Sequence, residues 1–188
     1  MEIDVIKQKI EELEKSRIEK TILRETIEFI INSIEFFDWK KVLEIGTFEG
    51  YSALWFAIVA NEVVTIEVVT EAFDKAVQNL ECAANVQPLL GNAFDVIAQL
   101  KNEGRRFNVV LIDGKKSEYA DYLEAVLDIL EDDFLIFVDN TISHKDSLGG
   151  FLEHLKRYEN LEWKEINIGK GLIVIKKKII QNEIQENN

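Results

Sequence analysis

The chain has 188 residues, of which 47% are hydrophobic, and a formal net charge of −13. That length and composition suit one globular α/β domain and exclude a disordered chain. The charge argues against a sequence-independent grip on nucleic acid, which needs clustered cations, though not against a local basic patch.

Taken in chain order, residues 3–37 place Ile6, Ile10, Leu13, Ile22, Ile27, Ile30 and Ile34 at helical spacing with charges between them. This predicts two helices with a break near Ser16 to Lys20. They cover their own domain, a neighbouring subunit or the mouth of a site. The run Lys41 to Ile45 reads as a buried strand, and Tyr51 to Ala60 as an apolar helix. Glu62 to Glu67 predicts a second strand and Glu71 to Ala84 a helix. Val86 to Leu90 predicts a third strand and Phe94 to Leu100 a helix. Arg105 to Asp113 predicts a fourth strand, followed by a helix over the segment GKKSEYADYLEAVLDIL. Phe134 to Asp139 predicts a fifth strand, and Leu148 to Tyr158 a helix. Trp163 to Ile168 and Leu172 to Lys176 predict a closing hairpin through Gly169-Lys170-Gly171.

Strands alternating with helices predict an α/β, Rossmann-like sheet of seven strands, mostly parallel, with helices on both faces and an antiparallel C-terminal hairpin strand. A single domain over 1–188 is expected, with N-terminal helices over 1–37, a core over 41–177 and a polar tail over 178–188. The single cysteine, Cys82, permits no intramolecular disulfide, and MEIDVIKQK carries no signal-peptide pattern. A reducing cytoplasm is therefore expected. The longest apolar run, Ser52 to Ala60, falls short of the about 20 residues that span a bilayer.

The centre of the chain is LEIGTFEGYSAL. Gly46 and Gly50 bracket the turn between the first strand and the helix after it. Without Cβ the backbone can take positive φ and let a ligand approach, and the helix presents free N–H groups there. Alone, Gly-x-x-x-Gly is also what an ordinary strand-to-helix turn looks like. Phe48 stands where a dinucleotide fingerprint has its second glycine, which weakens a pyrophosphate reading. It suits a nucleoside cofactor without phosphate.

This stretch resembles the first motif of class I S-adenosylmethionine (SAM) methyltransferases. More narrowly, it resembles the cation-dependent O-methyltransferases of the catechol and caffeoyl-CoA type, over roughly Lys41 to Lys176. The resemblance implies that Glu44, Gly46, Gly50, Tyr51 and Ser52 hold the methionine part of SAM. It makes Glu67 the ribose ligand, a place where one carboxylate can accept from two hydroxyls. Gly91-Asn92-Ala93 falls near the adenine, with Asn92 departing from the commonest form, so Asn92 and Ala93 complete the expected cofactor set with Asp113.

Parallel strands point their carboxyl ends to one side of the sheet. Asp113 and Asp139 would then start from backbones about 4.8 Å apart if their strands are neighbours. Two such carboxylates share a proton or a cation. With the amide oxygen of Asn140 they form a hard-oxygen set suited to Mg²⁺, and the resemblance makes Asp113, Asp139 and Asn140 the metal ligands. The plainer reading is that both aspartates cap turns and Lys116 neutralises them. Asp113, Lys116, Tyr119 and Tyr122 keep the family spacing. Lys116, with Asp113, is the expected catalytic group, accepting a proton or stabilising an oxyanion.

Glu131-Asp132-Asp133 replaces the family's proline-glycine turn, and no N-terminal substrate-loop motif is present. The expected activity is methyl transfer from SAM to a hydroxyl of a small, catechol-like acceptor with divalent metal assistance. The alternatives are a tRNA-hydroxyuridine methyltransferase, favoured by a basic surface from Lys115, Lys116, Lys145, Lys156, Arg157 and Lys170, and a non-catalytic Rossmann-like nucleotide-binding protein. No membrane partner is expected, and the resemblance suggests a homodimer. His144 is a remote candidate for reaching substrate, and His154 reads as a surface residue.

Overall fold

The computed structural model describes residues 2–16, 21–142 and 148–178. The elements are α1 (Glu2–Lys15), α2 (Arg24–Ser33), β1 (Lys41–Ile45), α3 (Tyr51–Val59), β2 (Glu62–Glu67), α4 (Thr70–Leu80), β3 (Val86–Leu90) and α5 (Ala93–Asn102). They continue with β4 (Phe107–Ile112), a 3₁₀ turn (Lys116–Glu118), α6 (Tyr119–Leu127), β5 (Leu130–Asp139), α7 (Gly149–Leu155), β6 (Leu161–Ile166) and β7 (Leu172–Lys177). His144, Lys145, most of the polar tail and most of the break expected between the first two helices lie outside the described residues.

The seven strands form one sheet in the order β3-β2-β1-β4-β5-β7-β6. The first five are parallel, and β7 joins β5 and β6 antiparallel. Side chains alternate between the faces, as the pleat demands. On β4, Val109 and Leu111 enter the apolar cluster that holds α1–α4, while Val110 and Ile112 enter the cluster under α5–α7. Both faces are thus covered, which is why the central strands read as continuous apolar runs. The helices after β1 and β2 lie on one face and those after β3 and β4 on the other. The winding therefore reverses between neighbouring strands β1 and β4, the place where such sheets open a crevice.

Several boundaries differ from the sequence expectation. Helix α4 ends at Leu80 rather than Ala84, and Ala83 N–H closes a tight turn onto Leu80 O at 2.9 Å. Helix α7 stops at Leu155, short of Tyr158, and β6 begins at Leu161 rather than Trp163. Glu131-Asp132-Asp133 is no turn: β5 begins at Leu130 and carries the acidic triplet through a register shift, with Lys41 Nζ bonded to Glu131 at 2.8 Å. Charged residues suggest a loop, but β4 supplies the backbone partners. Among the described residues, no helix is long and apolar enough to cross a membrane.

Candidate active site

The carboxyl ends of the parallel strands open onto a cavity of about 750 Å³. Gly46, Glu67, Asn92, Ala93, Asp113, Lys116 and Asn140 line it. These residues are far apart in sequence, and the sheet register brings them together. Ile45 sits beside Ile112, and Ile112 beside Val138, so the residues that follow each strand emerge side by side.

The loop after β1 is built for close approach. Gly46 has φ +103°, and a Cβ there would lie 2.6 Å from the Asp113 carbonyl oxygen. Gly50, at φ +88°, sits over the Leu80 side chain. Phe48 takes φ +49°, the left-handed conformation that glycine adopts more readily. Its N–H donates to Glu67 Oε2 at 2.7 Å, while Val68 and Val69 N–H donate to Oε1 at 2.9 Å each. Glu67 is therefore oriented by three backbone donors at the cavity wall.

Glu44, Gly50, Tyr51 and Ser52 are not among the residues that line the cavity. Glu44 is fully buried and accepts from the Ser52 and Thr65 hydroxyls, and Thr65 also shares a hydrogen bond with Thr47. Its carboxylate is enclosed by these hydroxyls, so it braces the loop from beneath rather than facing the cavity. Burial pushes its pKa up to about 7, with the two hydroxyls opposing and Asp113 and Glu67 adding to the rise. Tyr51 donates to Glu14 of α1 at 2.7 Å. Asn92 caps α5, its Oδ1 accepting from Phe94 N–H at 2.9 Å, so that oxygen is already committed.

Asp113 and Asp139 follow or end neighbouring strands, as expected. Lys116 Nζ donates to Asp113 Oδ1 at 2.7 Å. Asn140 Nδ2 bridges both carboxylates, at 3.1 Å to Asp113 and 2.6 Å to Asp139. Asn140 is held at φ +67°. Asp139 is buried and does not itself line the cavity, whereas the Asn140 bonded to it does. Burial, then the charge of Asp113, pushes the Asp139 pKa up to about 7, against the pull of the Asn140 backbone, Lys116 and Lys170. Asp139 Oδ1 is buried with no hydrogen-bond partner. A buried carboxylate oxygen without a partner, beside a second carboxylate, fits a cation. Among the described residues no group of three His, Cys, Asp or Glu could hold a metal, so a site here needs the Asn140 oxygen, reached by turning its amide.

Two wall residues had no place in the sequence-derived site: Phe48 and Tyr122 also line the cavity. The Tyr122 hydroxyl donates to Glu118 at 2.7 Å, and Tyr119 donates to the Asp139 carbonyl at 3.1 Å. The spacing of Asp113, Lys116, Tyr119 and Tyr122 was the available signal, because one helical turn returns each to the strand ends. Of the proposed basic surface, Lys115, Lys116 and Lys170 line the cavity, whereas Lys156 and Arg157 follow α7 and do not. His154 is half-buried, bonded to Glu124 at 3.0 Å and Tyr158 at 3.2 Å, rather than a free surface residue.

The family model described as O-methyltransferase matches residues 2–149. A catechol O-methyltransferase of Niastella koreensis is 33% identical over 110 residues, covering 55% of this chain and 50% of that protein. Caffeoyl-CoA O-methyltransferase 1 of Zea mays is 30% identical over 125 residues, covering 61% of this chain and 48% of that protein. The chain thus spans about half the length of these curated relatives. The O-methyltransferase of Bacillus cereus, solved in complex with SAH, superposes with a TM-score of 0.79 at 20% identity, covering 93% of this chain and 91% of that one, and shares the fold. With the matched family model extending over most of its length, the chain belongs to the O-methyltransferase family.

Proposed function

We propose that this protein transfers a methyl group from SAM to a hydroxyl of a small acceptor carrying adjacent oxygens, with help from a divalent cation. The observation that carries the reading is the partnerless buried Oδ1 of Asp139 beside Asp113 and Asn140, at the edge of the cavity that Glu67 also lines. Glu67 accepts from the ribose hydroxyls, with its rotamer set by three backbone donors. Gly46 lets the methionine part approach the backbone. Asn92 and Ala93 flank the adenine at the start of α5.

When bound, SAM supplies a methyl on a sulfonium sulfur and leaves as S-adenosylhomocysteine. A divalent cation held by Asp113, Asp139 and Asn140 supplies the charge that orients adjacent acceptor oxygens and acidifies a hydroxyl. Lys116, ion-paired to Asp113, places its ammonium where it can stabilise the acceptor oxyanion. As the acceptor oxygen loses its proton and bonds to the methyl carbon, the carbon–sulfur bond breaks. Holding the two reactants in line supplies much of the acceleration.

Calorimetric titration with SAM, with and without Mg²⁺ and catechol, tests this. SAM binding with Mg²⁺-dependent catechol binding is the expected result. Asp139→Ala should keep SAM affinity and lower metal-dependent turnover by more than the about 10–100-fold typical of outer-sphere changes. Full turnover by that variant in a chelator removes the metal role, and absence of SAM binding removes the methyltransferase reading.

A further inference from the structure

The closing hairpin supplies a cation to the acceptor side of the cavity. Lys170 lies between Gly169 and Gly171 in the turn joining β6 to β7. The turn is pinned on two sides. Thr141 N–H donates to Gly171 O and Ile142 N–H to Lys170 O, both at 3.0 Å, immediately after Asp139-Asn140. On the other side, Gly169 N–H donates to Glu25 Oε1 of α2 at 3.1 Å. Both glycines have positive φ, +58° and +93°, and a Cβ at either would collide, with Thr26 Oγ1 at Gly169 and with the Ile142 backbone at Gly171. The lysine is therefore carried on a rigid mount and lines the cavity together with Asn140 and Lys116.

The carboxylates that line the same cavity already have donors. Asp113 is paired with Lys116, Glu118 with Lys115 at 2.6 Å, and Glu67 with three backbone N–H groups. The field of Lys170 reaches Asp139, and a cation bound between Asp113 and Asp139 would answer that carboxylate in its place. The acceptor side then attracts negative charge, in a molecule that is strongly acidic as a whole. A single ammonium is a point donor suited to a monoanion, whereas a phosphoryl dianion is better met by a guanidinium or several donors.

Resting on the methyltransferase reading above, we propose that Lys170 is a specificity-determining residue that selects hydroxylated acceptors bearing a carboxylate. The test compares 3,4-dihydroxybenzoate, catechol, 3,4-dihydroxybenzylamine and 3,4-dihydroxyphenylphosphonate with SAM and Mg²⁺. Readouts are kcat/KM and, independently, calorimetric affinity in the presence of S-adenosylhomocysteine. The wild type should favour the benzoate over catechol about tenfold, equivalent to about 1.4 kcal/mol. Lys170→Gln should bring that ratio to about one, and Lys170→Glu should place the benzylamine above the benzoate. A wild-type ratio near one, or a ratio unmoved in Lys170→Gln, overturns the proposal while leaving SAM binding and catechol turnover intact. A preference for the phosphonate over the benzoate overturns the carboxylate assignment in favour of a phosphoryl group. Failure to bind SAM overturns the parent reading and this one together.

Discussion

At Gly46 a single hydrogen in place of a side chain decides whether the loop after β1 and the end of β4 can lie together. A Cβ would press on the Asp113 carbonyl at 2.6 Å in a backbone conformation that L-residues rarely adopt. Gly46→Ala should cost about 1–3 kcal/mol of stability and weaken SAM binding, read by thermal unfolding and calorimetry; an unchanged affinity would show that the loop does not contact the cofactor. Glu44 makes a pH-dependent prediction. Its folded pKa, pushed up to about 7, lies above the ordinary glutamate value of 4.5, so the folded state holds the proton more tightly. The linked stability is fully present below the unfolded value and is lost as pH rises through the folded one, by an amount on the order of 3 kcal/mol. Glu44→Gln lacks this dependence. The melting temperature of the variant relative to wild type should therefore rise between pH 5 and pH 8, the window these two values set. A constant difference across that range would show that Glu44 does not titrate there.

At the scale of elements, α1 is tied to the helix that follows the glycine loop. Tyr51, the first residue of α3, donates to Glu14, which also takes an ion pair from Arg24 at 3.2 Å. Ile6 and Ile10 of α1 are buried in the same apolar cluster as Tyr51. Tyr51→Phe should cost about 1 kcal/mol and speed amide hydrogen exchange in α1 while leaving β1–β5 unaltered. Faster exchange throughout the sheet would instead mean that the hydroxyl supports the whole domain. The acidic triplet in β5 makes the converse point: local charge predicts a loop, and pairing with β4 makes it strand.

For the whole molecule, the sheet reversal between β1 and β4 gathers the site from strand ends that are distant in sequence. Filling that cavity should stabilise the fold, because the unfolded chain does not present it. SAM at 100 times its dissociation constant should add about 2.7 kcal/mol, a rise of about 5–10 °C in melting temperature for a chain of this size. Differential scanning fluorimetry with and without SAM reads this directly, and no shift at saturating SAM would count against cofactor binding.

The sequence by itself determined the element order, the bounds of β2 and β3, the glycine loop and the Asp113-to-Lys116 spacing, since these rest on short-range periodicity and backbone freedom. Tertiary structure decided what each candidate touches. It enclosed Glu44, committed the Asn92 oxygen to a helix cap, and brought Lys170 from the closing hairpin to the cavity that Asn140 lines. Burial and contact depend on chain segments that meet only when the sheet forms, and no local pattern encodes which of them will meet.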